Sequence, residues 1–395
     1  MRRVVFIFTL LGSLLLFSCN LSSDESAENT AMVHLDLSEV PLDATMYIIN
    51  MGADKNTVVD SVLSSGKTKV DITIKLLQSP DIYILQLSPR ILIRLVVKQG
   101  EEVEIQIKGI DNGVEYDVKG SEGSVLVLEY SELISGHIAI HDSIYTAYRN
   151  YASGTDKEEL RRNTDSLLKR NYENTYRDLK EMVVSNDHNL ASLLGIYSKF
   201  GNSSIMNLDY DMDIFRELSD SLTYYYPNNT HALALKNRVD SRESNLKFTE
   251  ERYDKLDKGN VFPSISLKSI DNSIYNFESS TTKYRIIYLW QANQKSFYEF
   301  NKVLRSISKE YKKSDIEIVA IGFEKDMLSW RNYVRMERMD AWTNLIAGAD
   351  TEKNINPKAE YSLVYVLDSK GKILARMSSL DGIESFIGNM MLKKN

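Results

Sequence analysis

Cysteine is almost absent from this chain: a single one, Cys19, stands near the start of its 395 residues. A disulfide needs two thiols and a thiolate metal site needs several, so one cysteine excludes an intrachain disulfide and a multi-thiolate metal centre. Catalysis by a pair of redox-active thiols is excluded for the same reason. Any chemistry beyond residue 19 therefore proceeds without a cysteine.

An excess of positive charge is also missing. The chain has 48 Lys and Arg against 55 Asp and Glu, a formal net charge of −7, and removal of residues 1–18 would take away two arginines and no acids. Nucleic-acid binding depends on basic side chains that displace counterions from phosphates. The sequence therefore predicts no nucleic-acid partner. A hydrophobic content of 43% and a charged content of 26% are those of a soluble globular protein.

Long apolar runs are confined to the N-terminus. Arg2 and Arg3 precede the run Val4 to Phe17, and this order and length are typical of a signal peptide over residues 1–18. The run ends in Leu16-Phe17-Ser18-Cys19, which resembles the lipobox of bacterial lipoproteins. That resemblance implies that Cys19 carries the lipid that anchors the chain to a membrane, and that residues 19–31 form a polar tether. It places the protein in the cell envelope, and Asn20 favours the outer membrane over the inner membrane.

Residues 32–122 carry a β-strand pattern. Apolar and polar residues alternate in several short segments, as in half-buried antiparallel strands, and turn-forming residues separate the segments. Three of these segments are Val33-Leu35-Leu37, Val70-Ile72-Ile74 and Val103-Ile105-Ile107. Seven or eight such strands predict a β-sandwich. Asp60-Ser61, Gly100-Glu101 and Lys119-Gly120-Ser121 resemble a β-domain of unknown function that precedes thioredoxin folds in Bacteroidetes lipoproteins.

Residues 123–258 change to a helical pattern. Thr155-Asp156-Lys157-Glu158 has the form of a capping box, and Leu160 and Leu167 begin one apolar face after it. Further helices are expected over 125–151, 189–200, 212–226 and 230–256. The region is predicted to be a helical connector.

The most informative stretch lies in residues 259–395. Tyr284 to Trp290 is a nearly continuous apolar run, typical of a central strand that is buried on both faces. After a polar break, apolar residues recur at the three- and four-residue spacing of one helix face, from Phe297 to Tyr311. Strand, tight loop and helix follow one another in this order.

This segment resembles the active-site segment of thioredoxin-fold thiol-disulfide oxidoreductases of the TlpA/ResA and AhpC/TSA-related group. In that family a strand ending near a Trp leads into Cys-x-x-Cys at a helix N-terminus, and a cis-proline faces the two cysteines. On this pattern the cysteine positions fall on Gln294 and Phe297, and the proline position falls on Ser362. A non-proline residue disfavours a cis peptide bond, so Ser362 is expected to be trans. The resemblance thus implies a vestigial groove formed by Trp290, Gln294, Phe297, Tyr361 and Ser362.

Three other patterns have simpler explanations. His137 and His141 are four residues apart on a predicted helix, which suits two ligands of one metal, but a solvated helix face is the preferred interpretation. Asp209 to Asp220 matches part of a calcium loop but has Ile214 in place of the turn glycine, and helix capping explains the aspartates better. Ser296 is expected to cap the helix that begins at Phe297. The sequence therefore predicts no metal and no cofactor.

The sequence predicts a multidomain α+β and α/β protein, with an N-terminal β-sandwich, a helical connector and a C-terminal thioredoxin fold. The first hypothesis is a non-enzymatic lipoprotein whose cysteine-free thioredoxin fold binds a protein or peptide partner. The second is an enzyme that uses the same cleft by a mechanism without cysteine. The third assigns the operative surface to the β-domain.

Overall fold

The computed structural model describes residues 29–40, 42–110, 113–151, 157–277, 282–380 and 382–392. The chain divides into two compact units, residues 1–239 and 240–395. The predicted signal peptide, Cys19 and most of the predicted tether lie outside the described residues, as do Thr155 and Asp156 of the predicted capping box. No described helix is both long enough and apolar enough to cross a membrane.

The first unit contains a β-sandwich of two four-stranded sheets. One sheet has the order β4-β1-β7-β8, in which only β1 and β7 are parallel, and the other is the antiparallel sheet β3-β2-β5-β6. The strands are β1 Thr30–Asp36, β2 Thr45–Met51, β3 Asn56–Leu63, β4 Lys69–Lys75, β5 Asp81–Ser88, β6 Ile91–Val97, β7 Glu102–Gly109 and β8 Glu115–Lys119. The predicted sandwich is confirmed.

Alternation of side chains forms the core of the sandwich. On β4, Val70, Ile72 and Ile74 are buried while the residues between them are exposed, and β7 repeats this pattern. These residues join side chains of the other sheet, such as Met46 and Leu85, in one apolar cluster. A period of two places every apolar residue of such a strand on the same face.

Five helices follow the sandwich in the described residues, as the helical pattern predicts, but the one expected over 189–200 covers only Ser192–Ile196. They are α1 Glu122–Tyr151, α2 Lys157–Ser185, α3 Ser192–Ile196, α4 Met212–Tyr225 and α5 Thr230–Asp254, and a two-residue hairpin of β9 Lys199–Phe200 and β10 Ser203–Ser204 lies between α3 and α4. The helical residues up to Val239 belong to the same compact unit as the sandwich, and α5 continues beyond it. The sequence-based boundaries at 122 and 258 remain predictions.

A serine- and glycine-rich turn attaches α1 to strand β6. The hydroxyls of Ser121 and Ser124 both donate to the carbonyl oxygen of Val96, at 2.8 and 3.0 Å. Gly123 packs so closely that a Cβ there would lie 2.8 Å from a methyl carbon of Val96. The first turn of α1 therefore rests directly on the sheet, and the backbone approach depends on the missing side chain.

Asn229 makes a second attachment, between the β4–β5 loop and α5. Its Oδ1 accepts from the backbone N–H groups of His231 and Ala232, at 3.0 and 3.2 Å, which satisfies two donors at the start of the helix. Its Nδ2 donates to the carbonyl oxygen of Pro80 at 2.8 Å. One buried amide thus caps α5 and fixes it to the sandwich.

The second unit is built on a seven-stranded mixed sheet of order β12-β11-β15-β14-β13-β16-β17. Strands β13, β14 and β15 are parallel, and the other pairings are antiparallel. The elements are β11 Ser266–Ser269, β12 Ile274–Asn276, β13 Tyr284–Trp290, α6 Phe297–Glu310, β14 Ile316–Gly322, α7 Met327–Met336, β15 Thr343–Ile346, α8 Ala349–Ile355, β16 Leu363–Asp368, β17 Ile373–Met377 and α9 Ile383–Leu392.

Strand β13 is buried along its whole length, as predicted. Ile286, Tyr288 and Trp290 pack into a cluster with residues of α6, α7 and α9, whereas Ile287 and Leu289 pack into a second cluster on the other side of the sheet. Because helices and loops cover both faces of the sheet here, every side chain of the strand is buried, and its sequence is a nearly continuous apolar run.

Candidate functional site

The candidate site is the short segment 291–296 between the end of β13 and the start of α6. The backbone N–H of Gln294 donates to the carbonyl of Gln291 at 3.2 Å, and the N–H of Phe297 donates to the carbonyl of Gln294 at 3.1 Å. A carboxylate oxygen of Glu324 accepts from the N–H of Ala292 at 2.7 Å. These bonds hold the segment as a tight turn, in the strand–loop–helix order predicted from sequence.

Phe297 is a core residue at the first position of α6. Its side chain is completely buried, and its ring stacks on that of Trp290 with centroids 5.0 Å apart and an interplanar angle of 28°. The ring of Tyr333 contacts it edge-on at 6.3 Å. The position that the thioredoxin pattern gives to its second cysteine is therefore filled by aromatic packing.

Trp290 and Trp330 meet over a glycine. A Cβ on Gly322, the last residue of β14, would lie 2.6 Å from Cδ1 of Trp330 and 2.7 Å from Cζ2 of Trp290. Both indole rings are completely buried, and their N–H groups have no hydrogen-bond partner among the described residues. The two rings therefore form a tightly filled layer beneath the 291–296 segment.

Ser362 occupies the position that faces this segment. Its peptide bond to Tyr361 is trans, as expected, because the cis bond of the described residues is that between Ser79 and Pro80. Its φ of 61° is in the left-handed region, and the side chain is 1% exposed. The hydroxyl of Ser296 donates to the Ser362 hydroxyl at 2.9 Å.

The prediction that the Ser296 side chain caps α6 is wrong, because it makes no capping bond. Ser296 stands at the N-cap position of α6, but its backbone has helical torsion angles and its side chain makes no capping bond. A capping side chain requires a non-helical backbone at that residue, so the hydroxyl turns instead to Ser362. The bond joins the start of α6 to the loop before β16.

Only two of the five groove residues reach solvent. Gln294 and Tyr361 are half-buried, whereas Trp290, Phe297 and Ser362 are buried. The vestigial groove expected beside these five residues stays a prediction. Trp290, Phe297 and Ser362 are part of the packed interior, and solvent reaches Gln294 and Tyr361.

Two tyrosines near this surface have raised pKa values. Burial raises the pKa of the Tyr288 hydroxyl far above its ordinary value. Burial and the Glu352 carboxylate, which accepts from the Tyr361 hydroxyl, raise the pKa of Tyr361 in the same direction. A group that remains protonated at neutral pH is a poor general base, so neither tyrosine is suited to that role.

His137 is held by α2, which differs from the solvated face expected for it. Its Nδ1 lies 3.1 Å from Oδ1 of Asn171 and its Nε2 lies 3.3 Å from a carboxylate oxygen of Asp178. His141 lies beside Asp142, at 3.2 Å. Both nitrogens of His137 thus have protein partners, and the histidine bonds α1 to α2.

The aspartates of 209–220 bond within the protein. Asp211 accepts from the backbone N–H of Asn207 at 2.7 Å and from the hydroxyl of Tyr176 at 2.5 Å, and Asp220 pairs with Lys236 at 3.1 Å. Asp211 stands at the N-cap of α4 without a capping bond, so the predicted capping role is wrong for it. Within the described ranges, no group of three His, Cys, Asp or Glu side chains is placed to hold a metal ion.

Sequence reasoning missed Glu324 and Glu352, which support the site from neighbouring loops and helices. Glu324 bonds the turn at Ala292, and Glu352 bonds Tyr361. Each contact joins residues that are distant or irregularly spaced in the chain, and no local motif indicates them.

The fold and this strand–turn–helix arrangement define a thioredoxin-like domain in the C-terminal region. Residues 282–373 match the family described as Thioredoxin-like. This match spans β13 to the start of β17 and includes the candidate site. No curated protein matches the chain at a significant level.

The solved structures that are similar to part of this chain include domains from Bacteroides species. A C-terminal domain provisionally described as part of a thiol-disulfide oxidoreductase of Bacteroides thetaiotaomicron is 24% identical, with a TM-score of 0.33, over 35% of this chain and 99% of that one. The thioredoxin domain of a thiol-disulfide oxidoreductase of Bacteroides vulgatus is 16% identical, with a TM-score of 0.32, over 34% and 98%. A thiol-disulfide oxidoreductase of Bacteroides fragilis is 18% identical, with a TM-score of 0.31, over 33% and 99%.

Proposed function

We propose that this protein is an envelope lipoprotein whose thioredoxin-like domain is redox-inactive and binds a protein or peptide segment without a covalent step. The observation that carries the proposal is the filling of the candidate site. Gln294 and the buried Phe297 stand where the thioredoxin pattern has its two cysteines, and the one cysteine of the chain is Cys19. An amide and a phenyl ring cannot form the thiolate that disulfide exchange requires.

The order of charge and hydrophobicity at the N-terminus supports the lipoprotein part of the proposal. Two arginines, a short apolar run and Ser18-Cys19 follow one another. A lipid on Cys19 would anchor the chain to the outer membrane and would use its one thiol. Lipidation and localisation thus stand as proposals from sequence.

The surface over the buried aromatic layer supports the binding part. Asn293, Lys295 and Tyr298 are exposed around the half-buried Gln294. A primary amide both donates and accepts hydrogen bonds, which suits the backbone of an extended peptide. An exposed tyrosine supplies apolar contact area at a small loss of side-chain entropy. We therefore place the bound segment across Gln294 and Tyr298.

A disulfide-reduction assay tests the redox part. With dithiothreitol as the reductant, the full-length chain is expected to reduce insulin no faster than the reductant alone, because no thiolate is present at the site. The Cys19→Ser variant is the control for the remaining thiol. Acceleration of insulin reduction that persists in Cys19→Ser would contradict the proposal.

A binding assay tests the other part independently. We expect the full-length chain to bind carboxymethylated insulin B chain, an unfolded peptide that cannot form disulfides. Gln294→Arg and Tyr298→Ala are each expected to weaken binding about fivefold to tenfold, which corresponds to about 1–1.4 kcal/mol. The matched control is Tyr210→Ala, which removes an 89% exposed tyrosine from the other unit. Equal binding by all variants would contradict the assignment of the binding surface to Gln294 and Tyr298.

A further inference from the structure

A cavity in the second unit lies away from the candidate site. It has a volume of about 310 Å³ and lies against the N-terminal part of β13. The described residues that line it are Val261, Phe262, Ser264, Phe277, Arg285, Leu367, Ser369, Lys370 and Gly371. Arg285 is the second residue of β13 and Trp290 is the last, so about 16 Å of strand separates this cavity from the 291–296 segment.

Arg285 is a buried cation in the wall of this cavity. It is 5% exposed, and its Nη1 donates to the carbonyl oxygen of Phe277. Its Nη2 is directed towards Gly371, where an added Cβ would lie 3.7 Å away. The cavity residues Phe277 and Gly371 thus flank the two ends of the guanidinium group.

No described carboxylate forms an ion pair with Arg285. The hydroxyl of Tyr275 lies within hydrogen-bonding reach of Arg285 and donates to Glu317, the acid on the adjacent strand, at 3.0 Å. A charge removed from water costs several kcal/mol unless a partner compensates for it. An anion in the cavity would pair directly with the guanidinium group, whose fork is suited to hold a carboxylate through two parallel bonds.

The rest of the cavity has the same electrostatic preference. Lys370 is exposed at its rim, and no acidic side chain occurs among its described lining residues. The neighbouring Asp368 accepts from the backbone N–H groups of Lys370 and Lys372, at 2.8 and 2.9 Å, so its carboxylate is engaged in the turn. Arg285 and Lys370 therefore both line the cavity as cations.

The apolar walls indicate what the anion is attached to. Phe262 and Phe277 are each 5% exposed, and their rings stack with centroids 5.9 Å apart and an interplanar angle of 30°. Leu367 adds a further buried side chain. A flat apolar body would pack against these rings while its charged end reaches Arg285.

We infer that this cavity binds a small aryl carboxylate, with its carboxylate on Arg285 and Lys370 and its ring against Phe262 and Phe277. The site is independent of the proposed peptide surface. Phosphate shares the anionic group but has no apolar body, and benzamide shares the body but has no charge. These two molecules therefore separate the contributions of charge and ring.

Isothermal titration calorimetry on the full-length chain tests this inference. Benzoate is expected to bind saturably with a Kd near 1 mM, phosphate about tenfold more weakly, and benzamide without detectable heat. Lys370→Glu is expected to weaken benzoate binding at least tenfold. Lys372→Glu makes the same charge change two residues away, outside the cavity lining, and is expected to change binding less than twofold.

Arg285→Lys gives the second line of test, because an ammonium group cannot make the two-pronged contact. It is expected to lose benzoate binding while keeping the circular dichroism spectrum of the parent chain, and if it does not fold, Lys370→Glu decides the matter. Absence of saturable benzoate binding would overturn the inference. Phosphate binding tighter than benzoate, or equal losses in Lys370→Glu and Lys372→Glu, would also overturn it.

Discussion

Replacement of Gly120 by alanine is expected to lower the free energy of unfolding of the first unit by about 3–5 kcal/mol. Gly120 has a φ of 81°, and a Cβ there would lie 1.9 Å from the backbone carbonyl oxygen of Glu102. That oxygen belongs to β7 and cannot rotate away as a side chain can, so the turn before α1 would have to move. Urea unfolding monitored by far-UV circular dichroism measures the loss.

Gly100→Ala is the matched control for Gly120→Ala. Gly100 has nearly the same φ, 79°, and no atom within 4 Å of the position of an added Cβ. Alanine there carries only the strain of a positive φ, which is about 1–2 kcal/mol. The difference between the two variants isolates the clash with β7. Equal destabilisation by the two substitutions would show that the close approach of Gly120 to β7 does not affect the free energy of unfolding.

Gly322→Ala is expected to destabilise the second unit by about 3 kcal/mol. The added methyl group would overlap the rings of Trp290 and Trp330, and both are buried among other aromatic side chains with little room to move. The three tryptophans of the chain all lie within residues 240–395. Urea unfolding monitored by tryptophan fluorescence therefore reports on the unit that contains the substitution.

Gly388→Ala is the control for Gly322→Ala. Gly388 lies inside α9, where an added Cβ would meet only the hydroxyl of Tyr311, at an ordinary distance of 3.9 Å. Alanine in a helix interior is favoured over glycine by about 0.5–1 kcal/mol, so this variant is expected to be as stable as the parent or more stable. If Gly322→Ala behaved in the same way, the tight packing of the two indoles would be refuted.

The fold was predictable where the pattern of side chains is set by burial. Val70, Ile72 and Ile74 alternate because one face of β4 is solvated, and Tyr284 to Trp290 does not alternate because both faces of β13 are covered. Helices α1, α4 and α5 lie within a few residues of their predicted bounds. The close approach at Gly123 was not predictable, since it depends on which strand the helix meets.

The candidate site was predictable in its chain position but not in its exposure. The order of strand, loop and helix can be recognised in the local sequence, so the segment 291–296 could be located after β13. Whether Phe297 lines a groove or fills the core depends on Trp290 and Tyr333, which approach it from other elements. The bond between Ser296 and Ser362 likewise joins residues 66 positions apart. The burial of Phe297 and the bond between Ser296 and Ser362 both depend on contacts between distant parts of the chain. The local sequence pattern does not contain those contacts.

The backbone at Ser362 limits which changes this loop can accept. Proline requires a φ near −65°, whereas Ser362 has a φ of 61°. Proline at this position would therefore meet a backbone with a φ of the opposite sign and would also remove the hydroxyl that binds Ser296. A proline-containing loop would need several coordinated replacements, because the backbone conformation at residue 362 and the contact with Ser296 would both have to change.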